Sequence, residues 1–104
     1  MTPDALMHGL PGEPLIRQGL ADIAERRRTI ASCLVDVCRS RLARAGLLPP
    51  DSPPAQPEPE IALYELLRGE PGEGDAYSRY NALLRELDSF ASALDQRLAR
   101  LAHG

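Results

Sequence analysis

The sequence of 104 residues predicts an all-α fold: a long antiparallel helical hairpin with a short third helix, completed to a four-helix-type bundle by dimerisation. Leu and Ala fill 31 positions, whereas the chain has three Tyr, one Phe and no Trp, so it lacks the aromatic residues typical of strands. Apolar residues recur at helical spacing in two long stretches. Between those stretches, six of the eleven residues from position 49 to position 59 are proline.

The chain is short enough for a single helical domain over residues 1–104, beginning with an N-terminal arm over residues 1–12. Within the arm, Thr2 is a helix-capping residue and Pro3 suits the first helical position. Gly9 is a natural terminator. The arm is therefore predicted to form one short helical turn.

A long helix is predicted over residues 14–45. Its main apolar column repeats every seven positions and consists of Ile16, Ile23, Ile30 and Val37. A second column contains only small residues, along which a neighbouring helix can approach closely: Ala24, Ala31, Cys38 and Ala45. Gly46 follows as a left-handed terminal residue, with Leu42 and Leu47 at the positions that meet in a Schellman motif.

A stiff, proline-rich connector is predicted over residues 47–58. It leads into a short helix over residues 59–68, in which Ile61, Tyr64 and Leu67 share one face. An acidic turn then follows over residues 70–74. The PxxP spacing within the connector also occurs in ligands of aromatic-lined grooves, but a linker is the favoured interpretation.

A second long helix is predicted over residues 76–102, with Asp75 as its N-cap. Leu83 and Phe90 widen its apolar stripe on one side, and Tyr77 widens it on the other. Alternating steps of four and three residues define the seam of this helix, which contains Tyr80, Leu84, Leu87, Ala91, Leu94, Leu98 and Leu101.

Two long helices that touch along one line leave part of each apolar stripe uncovered, so the sequence predicts a partner. A homodimer is the first expectation, because two-fold dimers are the commonest oligomers. Another helical protein, or a monomer whose short helix covers the groove, are the alternatives. The expected interface consists of Ile16, Ile23, Ile30, Val37, Leu84, Leu87, Leu94 and Leu98.

Two arginines interrupt the apolar stripe of the first long helix, at Arg27 and Arg41. An antiparallel register that pairs the two long helices brings Arg27 opposite Asp95. We therefore expect Arg27 and Asp95 to form a polar pair in the seam that fixes the register. A guanidinium that extends along its aliphatic stem into water is the alternative.

The sequence predicts no catalytic, cofactor-binding or metal-binding residues. Its two histidines, His8 and His103, lie near the ends of the chain, and Cys33 and Cys38 lack zinc-site spacing. On one helix these cysteines point about 140° apart, which predicts buried free thiols and no disulfide. We therefore expect a protein that acts by association, in an adaptor or regulatory role, without catalysis.

Two other functions are the alternatives to association. An enzyme that processes nucleotides needs acids to hold Mg²⁺, and the nearest approaches are Asp22 with Glu25 and Glu86 with Asp88. A nucleic-acid-associated regulator would use the arginine-rich first helix, which includes residues 26–28. The net charge of −3 makes nucleic acid the less favoured partner.

The predicted location is the cytoplasm. No stretch of the sequence has the eighteen or so uninterrupted apolar residues that a membrane span requires, so no membrane partner is expected. The first residues also lack the basic and apolar regions of a secretion signal.

Overall fold

The computed structural model describes residues 2–49, 54, 57–69 and 75–103. The regular structure of these residues is entirely helical, which confirms the all-α class. In chain order the helices are α1 (Pro3–Met7), α2 (Glu13–Ala24), α3 (Ile30–Val37), α4 (Arg39–Arg44), α5 (Pro59–Gly69) and α6 (Ala76–His103). Helix α3 lies centrally and contacts α2, α4, α5 and α6.

The prediction of one helix over residues 14–45 is wrong. This part of the chain forms three helices, and α2 and α3 make the most extensive helix–helix contact among the described residues. The predicted column of Ile16, Ile23, Ile30 and Val37 is therefore divided between two helices. In place of the first long helix of the expected hairpin, the chain bends back so that α2 and α3 pack against each other.

The break follows from a helix stop centred on Arg26, which has a left-handed φ of 58°. Its N–H donates to the Ile23 carbonyl at 3.0 Å, and the N–H of Arg27 donates to the Asp22 carbonyl at 2.7 Å. These two bonds are the Schellman pattern, in which glycine normally takes the left-handed position. Because an arginine stands there, the sequence lacks the usual sign of a helix end.

Replacing Arg26 with glycine is expected to stabilise the protein by about 0.5–1 kcal/mol, because an L-residue at positive φ places its Cβ too close to the backbone. Urea unfolding followed by circular dichroism measures the change. The matched variant Arg26→Ala keeps the Cβ and should show no such gain. Equal midpoints for the glycine and alanine variants would contradict the expectation.

Thr29 starts α3 with a reciprocal capping box. The N–H of Ser32 donates to the Thr29 hydroxyl at 3.0 Å, and the N–H of Thr29 donates to the Ser32 hydroxyl at 2.9 Å. Thr29 also donates its hydroxyl to Asp22 Oδ2 at 2.7 Å. These bonds link the end of α2 to the start of α3 and satisfy amides that the helix start leaves free.

Asp22 is a buried carboxylate that holds this corner together. Its side chain is 4% exposed and accepts hydrogen bonds from Thr29 and from the Gln18 amide, the latter at 2.9 Å. The hydrogen bond from Thr29, followed by that from Gln18, lowers the pKa of Asp22 below its ordinary value of 3.8. The two hydrogen bonds thus compensate the cost of burying the Asp22 carboxylate, as a buried charge requires.

The lowered pKa of Asp22 predicts a loss of stability in acid. A carboxyl whose pKa is lower in the folded chain than in the unfolded chain stabilises the fold above the unfolded value, 3.8 here. This stabilisation is lost as the pH falls through the folded pKa. We expect the urea midpoint to fall less in Asp22→Asn than in the native chain when the pH is lowered from about 5 to about 3.

The matched control for this measurement is Glu86→Gln, which removes an exposed carboxylate of α6 outside the cleft. Glu13 and Asp75 also have lowered pKa values, so part of the acid dependence should persist in every variant. Identical acid dependence in the native chain and Asp22→Asn would contradict the assignment to Asp22.

Helix α4 ends as the sequence predicts. Gly46 has a φ of 78°, and its N–H donates to the Ala43 carbonyl at 3.0 Å. The N–H of Leu47 donates to the Leu42 carbonyl at 2.9 Å, which completes the Schellman motif. Leu42 is fully buried and anchors this short helix in the core.

The core is closed within one chain. Phe90 and Leu94 of α6 and Leu63 of α5 are each 0% exposed, as is Val35 of α3. Tyr64 and Tyr80 also pack edge to face between α5 and α6, with ring centroids 5.8 Å apart. A dimer is therefore not needed to bury the central side chains.

The ends of the chain meet at the C-terminal half of α6. Arg97 donates one guanidinium nitrogen to the carbonyls of Leu6 and His8, at 2.8 and 2.7 Å. These carbonyls stand at the end of α1, where intrahelical donors are missing. The contact fixes the described part of the N-terminal arm, residues 2–12, against the last helix.

Two predicted features lie wholly or partly outside the described residues. Half of the connector over residues 47–58 is in this group, as is all of the acidic turn over residues 70–74. No described helix is long and apolar enough to cross a membrane.

Candidate binding cleft

A cleft of about 400 Å³ lies between α6 and the segment that joins α3 to α4. The α6 wall consists of Leu84, Leu87, Asp88 and Ala91. The opposite wall consists of Val37, Cys38, Ser40, Arg41 and Arg44. The cleft thus combines an aliphatic interior with charged residues, which is the usual composition of binding sites.

The wall opposite α6 is positioned by the short helix α4. Leu42 is buried, so its neighbours on the other side of the helix turn outward, and Arg41 and Arg44 are exposed. These arginines are three positions apart and are neighbours on the helix surface. Both guanidinium groups are thereby held on one wall.

The α6 wall of the cleft is aliphatic where it is buried and acidic where it is exposed. Leu87 and Ala91 are buried, and Leu84 is half-buried. Asp88 is exposed on the same wall. The small side chain of Ala91 leaves space between the two walls.

The thiol of Cys38 borders the cleft but is only 8% exposed. Burial raises the pKa of Cys38 to about 11; Arg41 opposes this rise and Asp95 adds to it. The pKa of Cys33, which is fully buried, is raised by burial too. Both cysteines are free, as predicted, and a thiol with so high a pKa is a weak nucleophile at neutral pH.

The charges at the cleft form no ion pair with another described residue. None of the ion pairs among the described residues includes Arg41, Arg44 or Asp88. In contrast, Arg17 pairs with both Asp4 and Glu13 at 2.6 Å. The cleft therefore presents basic groups on one wall and an acidic group on the other, all free to meet an occupant.

The structure divides the expected interface residues into two groups. Ile16, Ile23 and Leu94 are buried inside one chain, and Leu87 is 7% exposed at the cleft. The burial of Ile16, Ile23 and Leu94 removes them from the expected interface, because the folding back of α2 on α3 and the packing of α6 cover them. The remaining four are half-buried: Ile30, Val37, Leu84 and Leu98. Val37, Leu84 and Leu87 line the cleft.

The expected pairing of Arg27 with Asp95 does not form within the chain. Arg27 lies in the link between α2 and α3, where it pairs with Glu25 and approaches Asp22 at 3.9 Å. Asp95 is exposed on α6. The register behind this prediction required a continuous first helix, which the chain does not form, and Arg41 is likewise at an exposed rim and not in a seam.

The arginine triplet of residues 26–28 lies at the break between α2 and α3, so the sequence places it wrongly on a continuous helix. Arg27 pairs with Glu25, and Arg28 lies 3.6 Å from Glu65 of α5. Two of the three arginines of the triplet therefore lie close to a carboxylate of the same chain.

The acids considered for magnesium binding are used differently. Asp22 is occupied by Thr29 and Gln18, and Glu25 pairs with Arg27. Glu86 lies against Gly12, at the start of α2, while Asp88 lines the cleft. Within the described ranges, no three Cys, His, Asp or Glu residues are grouped closely enough to hold a metal ion.

A second hollow, of about 390 Å³, lies between α1 and the end of α6. It is lined by Ala5, His8, Arg97, Arg100 and Leu101. Arg97 already donates to two backbone carbonyls there. This hollow is more open than the cleft, and the main charge in it has a structural partner.

No protein-family model matches this chain, and neither does any curated protein or solved structure. The geometry of the described residues is therefore the basis for its function.

Proposed function

We propose that this chain is a cytosolic helical protein that acts by protein–protein association through the cleft between α4 and α6, without catalysis of its own. The observation that carries the proposal is the cleft itself. It joins the aliphatic side chains of Val37 and Leu84 to the exposed charges of Arg41, Arg44 and Asp88. An apolar centre with a charged rim is typical of protein interfaces.

Two further observations support association. Arg41 and Arg44 are exposed and form no ion pair with a carboxylate among the described residues, and arginine is enriched in protein interfaces. Burial raises the pKa of the Cys38 thiol at the cleft to about 11, so this thiol is protonated and a weak nucleophile at neutral pH. The partner is a second copy of the chain or another helical protein.

The proposed association joins folded chains and does not complete an unfinished core. Phe90, Leu63 and Leu94 are already fully buried in the single chain. The contact area offered by the cleft is small, and such interfaces are typically reversible. A reversible contact suits an adaptor or a regulator.

Photo-cross-linking from inside the cleft tests the proposal. A photoreactive amino acid replaces Ser40, which lines the cleft, in cells that produce the protein. The matched control places the same group at Ser89, which is exposed on α6 and does not line the cleft. We expect a discrete cross-linked product of defined mass from position 40 and none from position 89.

The mass of the product identifies the type of partner. Twice the mass of the chain indicates a second copy, and any other discrete mass indicates a different protein; both outcomes support association. No product from position 40, or equal yields from both positions, would contradict the use of the cleft.

A further inference from the structure

The cleft carries opposite charges on opposite walls. Arg41 and Arg44 stand on the α4 wall, and Asp88 stands on the α6 wall. All three residues are exposed, and none takes part in an ion pair within the described chain. An occupant that matches this cleft has to offer acidic groups to one wall and a basic group to the other.

A second copy of the chain, related by a two-fold axis, offers both the acidic and the basic groups. In a symmetric dimer the same patch is used twice, so that residue i contacts residue j of the other copy and residue j contacts residue i. When two such clefts face each other, Asp88 of the partner subunit can approach Arg41 and Arg44. The reciprocal contact forms by symmetry.

Other occupants satisfy only part of the cleft. A phosphate or carboxylate ligand pairs with Arg41 and Arg44 but is repelled by Asp88 on the facing wall. Asp95 lies close enough to influence Cys38 at the floor of the cleft and adds to the negative charge. An acidic helix from another protein likewise leaves Asp88 without a partner.

The aliphatic lining favours the same arrangement. Val37 and Leu84 are half-buried in the single chain, and each retains surface that a second copy can cover. Burial of this apolar surface would stabilise the contact. The charges then determine which surface of the second copy is chosen, because complementary charge gives specificity more than affinity.

We propose that the cleft between α4 and α6 is a two-fold interface between two copies of this chain, in which Asp88 of each copy pairs with Arg41 and Arg44 of the other. This proposal rests on the proposed function and names the partner. The interface is reversible, and it leaves the core of each copy intact.

A charge exchange tests the interface. The double variant Arg41→Glu with Arg44→Glu places like charges opposite each other in its own dimer, and so does the single variant Asp88→Arg. Each variant alone is expected to have the mass of one chain at concentrations where the native protein has the mass of two. An equimolar mixture of the two variants is expected to regain the mass of two chains, because every contact between them is again attractive.

The matched control is the double variant Arg85→Glu with Arg100→Glu, which makes the same change in net charge at exposed positions of α6 outside the cleft. It should remain dimeric. Circular dichroism and thermal unfolding check that each variant is folded. If a reversal variant fails to fold, the neutral variants Arg41→Gln and Asp88→Asn provide the test, and each should weaken the dimer.

Three results would overturn the two-fold interface: a native protein with the mass of one chain at all concentrations, reversal variants that remain dimeric, or a mixture that remains monomeric. A monomeric native protein whose position 40 still cross-links to a different protein overturns only this proposal and leaves association through the cleft standing. Absence of any cross-link from position 40 contradicts both.

Discussion

Replacing Gly19 with alanine is expected to lower the free energy of unfolding by about 2 kcal/mol or more. A Cβ built at Gly19 would lie 2.5 Å from Val35 Cγ2 and 2.8 Å from the Ala31 carbonyl carbon, and closer still to the Ala31 carbonyl oxygen. Because two of these atoms belong to the backbone of α3, they cannot rotate away. The helices α2 and α3 would have to separate.

The size of the effect follows from two opposing contributions. Alanine stabilises a helix interior by about 1 kcal/mol relative to glycine. Forcing an extra carbon into a closely packed site costs about 3 kcal/mol at the upper end of the usual range. The packing cost therefore exceeds the gain in helix propensity. Urea unfolding followed by circular dichroism measures the difference.

Gly69 supplies the matched control. A Cβ at Gly69 would meet nothing within 4 Å, although Gly69 also belongs to a helix. Gly69→Ala should leave stability unchanged or raise it by up to about 1 kcal/mol. A Gly19→Ala variant as stable as the native chain would contradict the close approach of α2 and α3.

Replacing Phe90 with alanine is expected to lower the free energy of unfolding by about 3–5 kcal/mol. Phe90 is the only phenylalanine, lies on α6 and is 0% exposed in the core. Its removal takes away the apolar contacts of a whole ring and leaves a cavity that its neighbours fill only in part. Small domains have only about 5–15 kcal/mol of total stability, so the variant should be largely unfolded at moderate temperature.

Tyr77 is the control for Phe90, because it is an aromatic residue of the same helix that is 65% exposed. Tyr77→Ala should change the free energy of unfolding by less than about 0.5 kcal/mol. Thermal unfolding followed by circular dichroism compares the two variants. A midpoint for Phe90→Ala close to that of Tyr77→Ala would contradict the central position of Phe90.

The helices that the sequence predicts well are those with ordinary boundaries. The last helix has Asp75 at its start, and Asp75 accepts a hydrogen bond from the Ser78 N–H at 2.7 Å. Gly46 marks the end of α4 and adopts the left-handed conformation that only glycine adopts easily. Local rules of capping and spacing are sufficient in these places.

The break between α2 and α3 escapes prediction because its left-handed residue is Arg26 and not glycine. Apolar spacing gives no warning either, since Ile23 and Ile30 both face the core from their separate helices. One signal was present: Thr29 stands before an apolar run with Ser32 three positions later, which is the spacing of a capping box.

The column of small residues predicts a close helix approach but does not identify the helix that approaches. The column that includes Ala31 indicates a close helix approach, and Ala31 does lie at one. The approaching helix is α2, on which Gly19 provides the matching small residue. Sequence spacing describes one face of one helix and cannot say which part of the chain packs against it.

The cleft depends on tertiary structure even more strongly. Its walls come from α4 and α6, whose relative position is determined by the burial of Leu42, Leu87 and Ala91. The sequence places Arg41 inside a helical seam, but once the first helix is divided Arg41 stands at an exposed rim. Of the expected interface residues, Val37, Leu84 and Leu87 reach the cleft.

The solution mass of the native chain across a dilution series tests association most directly. Light scattering from about 1 mM to about 1 µM covers the dissociation constants of weak dimers. We predict a mass that falls with dilution from twice 11.3 kDa to 11.3 kDa. A mass of 11.3 kDa at every concentration, together with no cross-link from position 40, would contradict association through the cleft.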